Sequence, residues 1–198
     1  WVISRYHLRI ARAPRFREEI EVTTWPSGRS AIFALRDFEV TAADGEPIAV
    51  ATTSWAILDL ETRRPRPVAS VLPPDFLLER RALVDDFASL PALEASERDV
   101  TLPVMLRDLD MNLHVNHIVY VQWALETVPL DLLRAGSPLD VEVGYHAEAR
   151  LGDRIVASIA KDGTARTGSG AGERVFLHRI THAERGTELA RLRTTWRA

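Results

Sequence analysis

The run Ile118-Val-Tyr-Val-Gln-Trp-Ala-Leu-Glu-Thr-Val128 is apolar on nearly every side when wound as a helix. Ile118, Val121, Leu125 and Val128 form one row and Val119 and Trp123 another; only Gln122 and Glu126 make a polar stripe. A helix of this kind is not a surface helix: it must be enclosed. Pro129 ends it, and a short piece from Leu130 to Ala135 closes at Gly136. The rest of the chain has to supply the wrapping.

That wrapping is extended chain. Residues 2–10 alternate, with Tyr6, Leu8 and Ile10 against His7 and Arg9, and read as a strand. Residues 19–25 alternate again with Ile20 and Val22 inward, Pro26-Ser-Gly28 reads as a turn, and 31–40 form a longer strand. Asp44-Gly45 is a hairpin signal, and the next strand covers 47–60. Further strands are expected at 101–106, ahead of the helix, and at 139–149, 153–161, 173–182 and 187–197 after it. Gly152-Asp153, the glycine-rich 163–172 and Arg185-Gly186 mark turns.

Between these two strand series, residues 61–99 lose all periodicity. Pro65, Pro67, Pro73, Pro74 and Pro91 fall there, among Arg63, Arg64, Arg66, Arg80 and Arg81, with one helical turn expected around 77–84. A structureless stretch of this length inside one domain is unusual and argues for two units. The units also look alike. Gly45 to Trp55 (GEPIAVATTSW) aligns without gaps with Gly186 to Trp196 (GTELARLRTTW), and Ile48 matches Leu189. Tyr6-His7 echoes Tyr145-His146, which sets Arg9 opposite Glu148 and predicts one working site per chain. The second unit reads strand, helix, four strands. The first reads four strands and is expected to lack its opening strand and helix, which would precede Trp1.

One buried helix wrapped by an antiparallel sheet of about five strands is the hotdog arrangement, an α+β layer solution. The reading is therefore two tandem hotdog units: a partial one at 1–60, a linker at 61–98, and a C-terminal one at 99–198. Composition agrees with a globular chain, at 46% hydrophobic and 27% charged residues. A net charge of −3 gives no case for nonspecific nucleic-acid binding. No apolar run reaches the roughly 18 residues of a membrane span. The chain has no cysteine, which excludes disulfides, thiolate metal sites and a cysteine nucleophile. No signal or transit peptide pattern opens it, and a bacterial cytoplasmic setting is expected.

Asp108, Asp110, Asn112, His114, Asn116 and His117 crowd together just ahead of the helix. In an extended segment Asp110, Asn112 and His114 would share one side, with Met111 and Leu113 on the other. Asn116 is placed to cap the helix. Singly, Asp110, Asn112 and Asn116 could be turn and cap residues; together with His114, at the head of a buried helix, they read as a site. Asp108-x-Asp110-x-Asn112 begins like a calcium loop, but Leu113 stands where that loop needs Gly and Val119 where it needs Glu. His114-x-x-His117 and His178-x-x-x-His182 lack a third ligand at a linked spacing, so zinc is not expected. Gly168-Ser-Gly-Ala-Gly172 has no following Lys-Ser/Thr and is no phosphate cradle. No metal and no cofactor are expected.

Asp110-Met-Asn112-Leu-His114-Val-Asn116, followed by Tyr120, Trp123 and Glu126, resembles the active-site loop and helix of the plant-type and bacterial fatty acyl–acyl-carrier-protein (acyl-ACP) thioesterases. Tyr145-His-Ala-Glu148 falls where that family carries a strand-borne glutamate, and Trp1-Val-Ile-Ser-Arg5 and Thr53-Ser-Trp55 also match its style. The resemblance covers essentially the whole chain. It implies Asp110, Asn112, His114 and Glu148 as the catalytic set, with Asn116, Tyr120 and Trp123 at the substrate. Many relatives have a cysteine just after the glutamate; here Ala149 stands there.

The chemistry implied is direct attack of water on a thioester carbonyl. Glu148, or His114 with Glu148 beside it, takes the proton. Asn112 orients water or carbonyl, Asp110 fixes the loop and the imidazole tautomer, and the free amides at the head of the helix form an oxyanion hole. Strand parity sets a condition. Leu139, Val141, Val143, Tyr145 and Ala147 share one face and Glu148 takes the other. Either the strand bulges near Tyr145 or the site lies on the face away from Leu139. The partner implied is an acidic acyl carrier protein, which Arg63, Arg64, Arg66, Arg80 and Arg81 could meet if they are not simply solvated. A homodimer is plausible by symmetry. Two alternatives stand beside this reading: an acyl-CoA thioesterase, and a non-catalytic hotdog protein that binds acyl thioesters. A hotdog hydratase fits the Asn112 and Glu148 pattern less well.

Overall fold

The computed structural model describes residues 1–59, 61–62, 64–163 and 172–197. They fall into two compact units, Trp1–Ala88 and Ser89–Ala198. The boundary lies inside the stretch that carries no periodicity. Most of the glycine-rich 163–172 turn, and Gly168 to Ala171 with it, lies outside the described residues, as do Leu60 and Arg63.

Unit 1 is an antiparallel sheet of β1 (Val2–Ile10), β2 (Ile20–Arg29), β3 (Phe33–Ala42) and β4 (Pro47–Leu58), in the order β2-β3-β4-β1. A short β5 (Pro65–Arg66) pairs with the end of β4. Pro26-Ser27-Gly28 does not turn the chain. It sits inside β2 at a register shift against β3, which an outer strand tolerates because it needs fewer proline-blocked hydrogen bonds. The turn comes later, where the Ser30 amide meets the Phe33 carbonyl at 2.7 Å. Ile20 and Val22, expected inward, pair with β3 but are exposed.

The aperiodic stretch is not idle. Its helical turns lie at Val68–Ser70 and Pro74–Phe76, not at 77–84. Residues 78–85 strap across unit 1 through side chains. Asp37 is fully buried. It accepts from Ser27 Oγ (2.6 Å), Thr52 Oγ1 (2.7 Å), the Ala82 amide (2.8 Å) and Arg81 Nε (3.0 Å). Burial works against its ionisation, but these donors outweigh it and its pKa lies below the usual carboxylate range. Arg80 stacks 4.4 Å over the Trp25 ring and pairs with Glu39. Neither Arg80 nor Arg81 is a free surface cation. His7 Nδ1 meets Asp85 Oδ2 at 2.6 Å.

Unit 2 has β6 (Arg98–Pro103), α1 (His117–Leu125), α2 (Leu130–Ala135), β7 (Pro138–Tyr145), β8 (Arg154–Lys161), β9 (Glu173–His182) and β10 (Glu188–Arg197). The strand order is β7-β10-β9-β8-β6, all antiparallel. α1 lies across β8, β9 and β10. Val128, Leu132, Ile159, Phe176 and Trp196 form a core cluster, with Leu125 packed against it. The helix is enclosed on one side only. Val119, Tyr120, Trp123 and Ala124 are buried, whereas Ile118 is exposed and Val121 and Leu125 are half-buried. On the other face of the sheet, Arg191 and Arg179 donate to the carbonyls of Leu90 (2.6 Å) and Leu93 (3.1 Å) and hold that segment down.

The repeat holds at the level of topology. Unit 1 runs β2-β3-β4-β1, and unit 2 runs β8-β9-β10-β7 with β6 added outside β8. The register corrects one equivalence. Tyr145 pairs with Ala190, and Ala190 matches Ala49, whose partner is Ile10 and not Tyr6. Both units then make the same bulge. The amides of His146 and Ala147 share the Leu189 carbonyl (2.8 and 3.1 Å); those of Ala11 and Arg12 share the Ile48 carbonyl (2.9 and 3.4 Å). Counting from the bulge, the unit 1 position opposite Glu148 is Ala13, not Arg9.

Candidate active site

The polar loop is a tight hairpin and not an extended segment. Leu109 and Val115 form an antiparallel bridge. Across it the Asp110 amide donates to the His114 carbonyl (2.8 Å) and the Asn116 amide to the Asp108 carbonyl (2.9 Å). Leu113 closes the turn in the left-handed region, at φ 61°. Strand alternation therefore does not gather Asp110, Asn112 and His114. The Asp110 carboxylate does. Its Oδ1 accepts the amides of Asn112 (2.8 Å) and His114 (3.2 Å). Partial burial opposes ionisation of Asp110 most strongly, yet these two amides and the charge of His114 prevail, and its pKa is lowered. Asp108 is buried and holds the loop base, its Oδ2 accepting the Met105 amide at 2.8 Å.

The turn sends Asn112 and His114 outward, so both are exposed. Apolar side chains go with them. Met111 is 94% exposed, and Met105, Leu106, Leu113 and Ile118 also face out. A polar cluster rimmed by exposed apolar groups can meet a ligand that has both a polar head and a long apolar part.

Asn116 caps α1, its side chain accepting the Ile118 amide at 3.1 Å. The Val119 amide goes to the Asn116 carbonyl at 2.9 Å. With the Asn116 and Ile118 amides also engaged, the expected set of free amides narrows. Among the described residues, the His117 N–H at the first helical position meets no acceptor, and it lies at the positive end of the helix dipole. The His117 ring pKa is lowered, chiefly by burial and against the pull of Asp110.

The strand does bulge near Tyr145, one of the two arrangements that parity allowed. β7 ends at Tyr145, and 146–150 lie outside the ladder. The segment folds onto the helix instead. The Ala149 amide donates to the Tyr120 hydroxyl (2.9 Å), and the Tyr145 hydroxyl donates to the His117 carbonyl (3.1 Å). Rings stack edge to face in a row: Trp123 to Tyr120 at 5.1 Å, Tyr120 to Tyr145 at 5.7 Å, and Tyr145 to His117 at 6.2 Å. Tyr120 and Trp123 are buried in this row, and Glu148 is exposed beside it. The sequence placed Asp108 in the polar cluster and Tyr145 on the glutamate-bearing segment but gave neither a role; their contacts to the Met105 amide and the His117 carbonyl supply one. A separate apolar cleft of about 280 Å³ opens in unit 1, lined by Trp1, Pro26, Leu35, Trp55 and Leu72 among others.

The hotdog sheet, the helix mounted on it and the carboxylate-ordered loop at the helix head define a hotdog-fold protein with a polar site on its second unit. Comparison with known proteins gives the family. The acyl-ACP thioesterase N-terminal domain profile matches residues 1–73, and the acyl-ACP thioesterase C-terminal domain profile matches 92–198. Oleoyl-acyl carrier protein thioesterase 2 of Arabidopsis thaliana is 30% identical over all of this chain, which spans 61% of that protein. The 12:0-ACP thioesterase of Umbellularia californica superposes with a TM-score of 0.86 at 27% identity, covering 100% of this chain and 72% of that one. An acyl-ACP thioesterase of Bacteroides thetaiotaomicron gives 0.80 at 25% identity, covering 99% and 76%. The chain belongs to the acyl-ACP thioesterase family.

Proposed function

We propose that this chain hydrolyses fatty acyl thioesters of acyl carrier protein, releasing free fatty acid and so ending chain elongation. The observation that carries the reading is the Asp110-ordered loop at the head of α1, with the Glu148 segment tied to the same helix by Tyr120 and Tyr145. Family membership supports it. A thioester carbonyl is already electrophilic, so the protein has three tasks: to hold water, take its proton, and stabilise the oxyanion.

Glu148, alone or with His114, takes the proton of the attacking water. Asn112, exposed on the loop tip, orients water or carbonyl. The His117 N–H and the helix dipole receive the developing negative charge; removing one such donor typically costs roughly a hundredfold or more in rate. Asp110 holds Asn112 and His114 in place through their main-chain amides. Asn116, Tyr120 and Trp123 bound the substrate from the helix side. Ala149 carries no thiol and the chain has no cysteine, so hydrolysis proceeds without a sulfur nucleophile. The equivalent of Glu148 in unit 1 is Ala13, so each chain offers one site. A bacterial cytoplasmic setting is the one this reading adopts, and a symmetric homodimer is the assembly to test by sedimentation.

The test is release of free thiol from acyl carrier protein substrates of graded chain length, beside His114→Ala and Glu148→Ala. Loss of hydrolysis in both variants is the expected outcome. Hydrolysis of acyl-CoA at matched chain length with none of the carrier-bound form would move the substrate class. Binding without turnover by the unaltered chain would refute catalysis.

A further inference from the structure

Glu148 lies three residues past the last ladder pair of β7, so strand pairing does not set its position. The segment around it is held from two sides. On the β10 side, the Leu189 carbonyl takes the His146 and Ala147 amides, and His146 Nδ1 meets Glu188 Oε1 at 2.9 Å. On the helix side, the Tyr120 oxygen accepts the Ala149 amide at 2.9 Å and lies 3.5 Å from the Ala147 carbonyl. Glu148 is the residue between those two contacts. Tyr120 is itself well fixed: it is 4% exposed, wedged between Trp123 and Tyr145, and part of the helix whose head carries the polar loop.

We propose that the Tyr120 hydroxyl is a positioning group for Glu148, fixing the carboxylate beside α1 by tying residues 147–149 to that helix. The inference rests on the hydrolase reading and assigns Tyr120 a role beyond contact with substrate. The geometry needs a neutral phenol, because only an oxygen that keeps its proton can accept from Ala149 while facing a carbonyl. A phenol is protonated at neutral pH in any case; burial raises its pKa further, with the nearby charges of Glu148 and Asp153 adding to the effect and the Ala149 amide opposing it. The tie is short and stiff, since it runs from one hydroxyl through one ring into a helix. Small displacements of a reacting group are costly: about 1 Å can cost on the order of a hundredfold in rate.

The test is Tyr120→Phe, which keeps the ring and its stacking and removes only the oxygen. The expected result is a fall in kcat of between about tenfold and a hundredfold, with KM unchanged and the thermal midpoint lowered by only a few degrees, because the buried Ala149 amide loses its acceptor. In a Glu148→Gln background the same change should cost less than about twofold more, because residues acting through one group are not additive. A rise in KM with kcat intact would overturn the inference and leave the Tyr120 hydroxyl with substrate contact alone, and fully additive losses would overturn it in favour of an independent role. Two further readouts need no turnover. Amide exchange at Ala149 should rise about tenfold while β8 amides stay protected, and the Glu148 side-chain carboxyl carbon should shift in NMR spectra. If neither moves, the inference fails. A parent chain that hydrolyses nothing refutes the hydrolase reading alone, and these two readouts then decide whether Tyr120 holds Glu148.

Discussion

At the scale of single residues, Asp110 acts through geometry before it acts through charge. Its Oδ1 is the shared acceptor for the Asn112 and His114 amides. Asp110→Asn keeps an acceptor oxygen and loses the charge, whereas Asp110→Ala loses both. Thiol-release assays should show the alanine variant down by roughly a hundredfold or more and the asparagine variant down by much less. The pKa of Asp110 is lowered. Its contribution is therefore present above the unfolded carboxylate range and lost as pH falls through the folded value. His178 gives the opposite residue type with the same slope. It is fully buried, bonded to Thr194 Oγ1 at 2.8 Å and near Thr127 Oγ1 at 3.4 Å, and burial pushes its pKa down to about 3. The unfolded chain binds a proton near pH 6.5 that the folded chain refuses, so stability falls as pH drops between those values. His178 alone should cost about 2 kcal/mol between pH 7 and pH 5. Denaturation of His178→Gln at the two pH values should show a smaller difference; an unchanged slope would sink the assignment. The spacing of Asp110, Asn112 and His114 marked a candidate site, but strand alternation is not what groups them. A left-handed Leu113 leaves no trace in the pattern of residue types, so a turn looked like a strand.

At the scale of elements, the cap on α1 was legible because capping is local: Asn116 needs only its own side chain and an amide two residues on. Asn116→Ala should cost about 1 kcal/mol, measurable in urea, and should also loosen the first turn that presents the His117 N–H. Asn116→Asp should restore both stability and hydrolysis. β1 and β9 keep the bounds that the sequence pattern gives them, because strand ends are marked locally, although in β1 the buried residue is His7 and not Tyr6, Leu8 or Ile10. Three features were not local: two were misread, and the bulge was one of two open alternatives. Pro26 in β2 survives because the strand is the outer one in its unit, which only pairing can reveal. The bulge after Tyr145 depends on Leu189 offering one carbonyl to two amides. The 78–85 strap is held by the buried Asp37, the Arg81 guanidinium and the Trp25 ring, contacts between residues 40 or more apart in the chain. Such contacts have no period to detect.

At the scale of the whole molecule, charge decides how the substrate arrives. The chain carries a net charge of −3, and an acidic carrier protein would meet it with overall repulsion. Productive encounter therefore needs a local positive patch. Of the arginines in the aperiodic stretch, Arg81 is committed to Asp37 and Arg80 to Glu39 and Trp25, while Arg63 lies outside the described residues. Arg64 and Arg66 are exposed beside β5. Reversing both to glutamate should raise KM for acyl-ACP by about tenfold at low salt, and the gap from the unaltered chain should narrow as salt rises, because exposed charges are screened within roughly 10 Å at 0.1 M. kcat should hold, since neither residue is near the loop in sequence or belongs to the same unit. A short synthetic thioester carries no acidic surface, so its kinetics should not change. Equal loss on both substrates would mean that the double substitution disturbs the fold of unit 1. Loss on acyl-CoA matching that on acyl-ACP would mean that these arginines read phosphate, and the carrier would then have to dock elsewhere.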